Sequence, residues 1–154
     1  ATLFCTLIAG RVFGFATVIM PGLAALDDRQ YIRAFQVIDG VIQRGQPIFG
    51  LVWLGSTVAI VVAAALSVQQ LDGIERLLVL FSAFAYLVGV QAPTFTVSVP
   101  LNNAIQKVDT DVLDKSALAA ARLTFEQRWV RWNTIRTIVA TGVSAALIVV
   151  LLMA

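Results

Sequence analysis

Phe125-Glu126-Gln127-Arg128-Trp129-Val130-Arg131-Trp132-Asn133-Thr134-Ile135-Arg136-Thr137 runs without a helix breaker straight into an apolar C-terminal stretch. Glu126, Trp129, Asn133 and Arg136 recur at the three- and four-residue spacing of a single helix face. A carboxylate, an indole, an amide and a guanidinium are thereby carried to the lip of a membrane. Ionisable groups at that depth are costly and mark functional positions by default.

The rest of the chain supports the membrane reading. Hydrophobic residues make up 59% of the 154 and charged residues 13%. The mean hydropathy of +0.88 lies well outside the usual soluble range. Apolar stretches at residues 1–23, 47–68, 77–98 and 133–154 each supply the roughly 20 residues that a hydrocarbon core requires. The fold expected is therefore all-α: an integral membrane four-helix bundle forming a single four-span domain over residues 1–154. The first stretch could instead be a secretory leader, with Leu23-Ala24-Ala25 imitating a cleavage site. It has no basic start, however, and Arg11 interrupts its apolar core, which favours a retained helix.

Lys and Arg set the expected orientation. The first connection carries Arg29, Arg33 and Arg44, and the third carries Lys107, Lys115, Arg122, Arg128 and Arg131. The second carries Arg76 alone. The positive-inside rule then places the first and third connections in the cytoplasm, with both termini outside, in a multi-pass protein of the cell inner membrane. The net charge of +2 is a topology signal, because no basic cluster is interleaved with stacking aromatics as single-strand nucleic-acid binders require.

Several chemistries are excluded by what the chain lacks. Cys5 is alone, so no intrachain disulfide forms, and a lone thiol in an apolar helix reads as inert core. There is no histidine, which removes His-ligated haem, Glu-x-x-His di-iron centres, His-bound copper and Ser-His-Asp triads. Met20 and Met153 are too scattered for a copper site, and no phosphate-binding glycine motif occurs. No metal and no cofactor are expected.

Residues 27–44 read as an interfacial amphipathic helix, capped by Asp27 or Asp28 and ended by Arg44-Gly45 and Pro47. Tyr31, Phe35, Ile38 and Ile42 form its apolar stripe. Asp39 falls inside that stripe, where a carboxylate either finds a positive partner, takes up a proton, or sits near enough the edge to reach water. Residues 110–132 read as an extramembrane helix starting near Thr110-Asp111, either continuous with the last span or kinked near Asn133. A continuous helix of about 40 residues would be roughly 60 Å long and would extend into the cytoplasm.

Polar groups also gather within the spans. Gln91, Thr94, Ser98 and Asn102 share a face of the third span and its extension, while Pro93 and Pro100 free the carbonyls of Gly89 and Thr96. These groups either line a polar cavity or bond back to their own helix. Arg11 in mid-span is unfavourable by ~2.5 kcal/mol or more unless paired, with Asp39 and Glu126 as candidate partners. Gly10 and Gly14, with glycines 50, 55 and 89, suit close helix packing. Trp129 and Trp132 beside Arg128 and Arg131 could be a plain interfacial belt. A belt leaves Glu126, Asn133 and Arg136 unexplained.

Val99-Pro100-Leu101-Asn102-Asn103-Ala104-Ile105 resembles the N-V-P-L-N-x-x-L signature of the anthrone-oxygenase-like family of four-helix integral membrane proteins. Trp129-x-x-Trp132-Asn133-x-x-Arg136-Thr137 is similar to that family's W-x-x-W-N-x-x-R-T signature. Met20-Pro21-Gly22-Leu23 and Phe35-Gln36-x-Ile38-Asp39, with Pro47-x-Phe49 after it, resemble two earlier blocks in the right order. The resemblance implies oxidation of anthrones to anthraquinones by dioxygen without a metal or flavin, an activity associated with fungal members. The chain departs from the pattern at three places: the family often has Asn at the positions of Asp39 and Ser98, and frequently His at that of Thr134. The last change removes a proton acceptor.

Two functions follow. A cofactor-independent oxygenase acting on an anthrone-like or other hydrophobic aromatic substrate needs a base and a dry pocket. Glu126 or Asp39 would be the base, and Arg136 with Arg11 would stabilise the enolate oxygen. Trp129 and Trp132 would stack on the substrate, with Gln91, Asn102 and Asn133 completing the binding site. The alternative is a non-catalytic membrane subunit or homo-oligomer that binds a lipid, quinone or pigment.

Overall fold

The computed structural model describes residues 1–153; residue 154, the last of the expected fourth span, lies outside them. Five helices and no strand occur among the described residues: α1 (Thr2–Ala24), α2 (Asp28–Gln43), α3 (Pro47–Gln70), α4 (Gly73–Gln106) and α5 (Lys115–Met153). All but α2 are long and apolar enough to cross a membrane, so the chain is a multi-pass membrane protein. Around the bundle, α1 and α4 each pack against α3 and α5.

Local chemistry sets the ends of these helices. Asp27 caps α2, its Oδ1 accepting from the Gln30 amide at 2.9 Å. Gly45 ends that helix at φ +83°, a left-handed conformation that glycine adopts without strain. Gln46 caps α3, and Pro47 takes its first turn. α5 begins at Lys115 rather than near Thr110, because Asp114 supplies the cap and accepts from the Ala117 amide at 2.8 Å. Those bonds hold the Asp114 carboxyl below its usual range. Asp111 is instead drawn to α2, 3.2 Å from Arg33 and 3.6 Å from Arg29. The first and third connections therefore lie on the same side of the bundle.

α5 continues through Asn133 without interruption, and its 39 residues make it about 60 Å long. Three π-helical turns interrupt two of the other spans, at Phe15–Ile19 in α1 and at Leu87–Gln91 and Thr94–Ser98 in α4. Pro93 lies between the two in α4. Such turns widen a helix and shift its facing register, and they are frequent at functional sites.

Two hydrophobic cores result. One joins Cys5, Ile8, Val12, Ile60, Tyr86, Val143 and Leu147 in the body of the bundle. The other joins Phe15, Tyr31, Phe35, Ile105, Leu118, Phe125 and Trp129 where α2 covers one end. A Cβ on Gly89 would meet Val139 Cγ1 at 2.8 Å, and one on Gly55 would meet the Phe4 ring at 3.3 Å. Gly10, Gly14 and Gly50 have nothing within 4 Å, so the expected close approach holds only at Gly55 and Gly89.

Candidate ligand cavity

Asp39 is only 4% exposed, and amides surround it. Its Oδ1 accepts from Asn102 Nδ2 at 2.7 Å, and its Oδ2 accepts from Gln43 Nε2 at 2.7 Å and Gln106 Nε2 at 3.0 Å. Gln43 stands one helical turn along α2, while Asn102 and Gln106 are one turn apart on α4. Asp39 thus meets neither a cation nor bulk water at its oxygens: neutral amides satisfy both. Asn102 Oδ1 in turn accepts from the Trp129 indole at 2.8 Å. An indole, an amide and a carboxylate are linked in series across α5, α4 and α2.

Arg136 is 3% exposed. Its Nη1 donates to Thr94 Oγ1 at 3.0 Å and its Nη2 to Asn133 Oδ1 at 3.1 Å, while its Nε is buried without a partner. Its guanidinium carbon lies 5.8 Å from the centre of the Trp129 ring. Asn133 Nδ2 reaches back to the Val12 carbonyl at 3.0 Å, which ties this group to α1.

Arg11 is held differently. Its guanidinium carbon lies between two rings, 5.0 Å from the centre of Phe15 and 4.7 Å from that of Phe49. Among the described residues it donates no side-chain hydrogen bond and forms no ion pair. Its polar edge is left to the space in front of it.

That space is a cavity between the two cores, whose empty volume of about 640 Å³ includes its open mouth. Arg11, Asp39, Asn102, Trp129 and Arg136 all line it. Thr94 and Ser98 join them from α4, and Phe49 and Trp53 from α3. The wall therefore carries two guanidinium groups and one carboxylate. Ser98 Oγ is buried without a partner.

Four other residues named from the sequence lie off this wall. Asn133 stands directly behind it, holding Arg136. Gln91 turns away, donating to Thr57 Oγ1 at 2.8 Å beside Tyr86. Trp132 is half-buried elsewhere on α5. Glu126 belongs to a separate collar around Arg122, whose Nε donates to Glu126 Oε2 at 2.7 Å. Arg122 Nη1 also donates to the Leu26 carbonyl at 2.9 Å and Asp28 Oδ1 at 3.1 Å, and its Nη2 to the Ala24 carbonyl at 3.1 Å. Its guanidinium carbon stacks 4.4 Å above the Tyr31 ring. Burial first, and then the Glu126 charge, push the Tyr31 hydroxyl above its ordinary range, with Arg122 opposing.

Residues 39–147 match the anthrone oxygenase family. The chain belongs to the anthrone oxygenase family. Compared with curated proteins and with solved structures, it matches none. The family match takes in Asp39, Asn102, Trp129 and Arg136, whereas Arg11 precedes it. Thr134 is exposed and bonds back to the Val130 carbonyl at 3.0 Å. It does not line the cavity.

Sequence reasoning did not find Gln43, Gln106, Phe49 or Trp53 as parts of this site. Gln43 and Gln106 were legible in retrospect from their four-residue spacing to Asp39 and Asn102. Phe49 and Trp53 share the same spacing at the start of α3, but nothing local distinguishes them from interfacial aromatics.

Proposed function

We propose that this chain is a membrane oxygenase without a resident metal or flavin, oxidising a planar anthrone-type ketone with dioxygen at the cavity that all five helices line. The observation that carries this reading is Arg11: a guanidinium on a candidate membrane span, facing a cavity, with no acceptor among the described residues. Leaving such a group unpaired is costly, so its partner comes with the ligand. With Arg136 beside it, the wall favours an anion. An enolate oxygen meets that requirement.

Asp39 is the carboxylate on the wall, and it takes the proton from the substrate carbon. Three amides already hold its oxygens, so the driving force comes mainly from the two guanidinium groups stabilising the enolate. The enolate gives an electron to dioxygen. The carbon radical and superoxide then combine to form a C–O bond, and the peroxide takes up a proton. Loss of water across that carbon, with its remaining hydrogen, leaves a new carbonyl: a methylene becomes C=O, with one dioxygen consumed and one water released. Glu126, engaged by Arg122 away from the cavity, has no part in this sequence. One carboxylate, with no imidazole or thiolate on the wall, is too poor a donor set for a transition metal.

The α2 side is proposed to face the cytoplasm, since its connections carry nearly all the exposed Lys and Arg. The test uses the full chain in lipid nanodiscs with anthrone, following dioxygen uptake together with anthraquinone absorbance. Uptake faster than in empty nanodiscs, with one dioxygen per product, is expected. Equal rates despite binding would favour the alternative, a subunit that holds a lipid, quinone or pigment without turning it over.

A further inference from the structure

The wall of the cavity between α3 and α4 is closed by aromatic side chains. α3 packs along α4 mainly over Gly73–Tyr86, and the π-turned half of α4 meets it through fewer side chains, among them Gln91 on Thr57 Oγ1. There Trp53 of α3 meets Phe95 of α4, with ring centres 5.0 Å apart. Phe95 is 59% exposed on the outer surface of a membrane-spanning helix, so it faces lipid. Trp53 stacks on Phe49 at 6.2 Å and an interplanar angle of 15°. Phe49 then covers the Arg11 guanidinium at 4.7 Å.

These contacts form a continuous run of π faces from the lipid to the unpaired cation. Trp53 lies six residues after Pro47, about 9 Å along its helix at ~1.5 Å per residue. Phe49 and Trp53 also line the cavity, as belt residues do not. We infer that the cavity takes its ligand sideways from the bilayer, between α3 and α4, and that Trp53 is the gate that admits flat aromatic rings. The inference rests on reading the cavity as a ligand site. It adds the route and the residue that selects for planarity, a shape that stacks on each face in turn. An apolar ligand then avoids water, and ionises only on reaching Arg11.

The test uses the coloured, ionisable hydroxyanthraquinone alizarin, dissolved in vesicles that contain the full-length protein. A Trp53→Cys/Phe95→Cys pair is bridged by a bis-methanethiosulfonate, which forms disulfides that a reductant cleaves; the buried Cys5 stays out of reach. Bridging is expected to slow alizarin binding by on the order of tenfold, as a closed gate limits association. Reductant should restore the rate, and each singly labelled variant should bind as the unbridged pair does. Unchanged association in the bridged protein would overturn the lateral route while leaving the cavity reading intact. Absence of alizarin binding by the unmodified chain would overturn both. Failure to oxidise anthrone, with bridging still slowing alizarin, would sink the oxygenase reading alone.

Discussion

Arg122 and Arg11 show two ways in which this protein treats a guanidinium. Arg122 is engaged by two carboxylates, two carbonyls at the end of α1 and the face of Tyr31. It closes the end of α1 and ties it to α2 and α5. Arg11 has two ring faces and, among the described residues, no acceptor. A group whose donors are largely taken up by the fold is structural. One whose donors face an empty space is prepared for something the fold does not supply.

Variants on either side of that contrast test it. Asp39→Asn keeps the shape of the cavity but removes its proton acceptor, so anthrone turnover should fall by about 10²–10⁴-fold, measured as dioxygen uptake. In the same assay Glu126→Gln should stay within about twofold of the unmodified chain, since the carboxylate it replaces lies in the collar and off the cavity wall. Equal losses in both variants would erase the distinction between cavity and collar.

Arg122→Met should act on stability instead. Losing hydrogen bonds to charged partners costs about 1.5–3 kcal/mol, seen as a lower unfolding midpoint in detergent, with kcat unchanged in the protein that remains folded. Trp129→Phe is the mildest change. It removes the indole N–H that holds Asn102 and leaves one amide oxygen unpaired, for about 1 kcal/mol in stability and a several-fold loss of alizarin affinity.

The membrane class and the helical architecture were legible from uninterrupted apolar runs, because length and composition alone decide whether a helix spans. The polar face of α5 was legible as well, since Trp129, Asn133 and Arg136 keep a regular α-helical register. Glu126 shares that face but not that level: ten residues separate it from Arg136, about 15 Å along the axis. A helical wheel gives an angle and says nothing of height. On α4 the wheel groups Gln91 with Thr94 and Ser98, yet Gln91 bonds to Thr57 of α3 while the other two line the cavity. Asp39 could be assigned to the buried stripe of α2, but its amide partners on α4 are more than sixty residues away, so only the tertiary fold shows them.

Alizarin affinity in lipid vesicles, compared between Arg11→Leu and Arg122→Met, tests the central claim most directly. If Arg11 is reserved for a ligand, Arg11→Leu loses affinity by roughly tenfold or more, as removal of a charged hydrogen-bond donor should. It should also unfold no more readily, having shed a cation that costs ~2.5 kcal/mol at membrane depth. Arg122→Met keeps the affinity. Unchanged binding by Arg11→Leu, or a loss confined to Arg122→Met, would contradict the account.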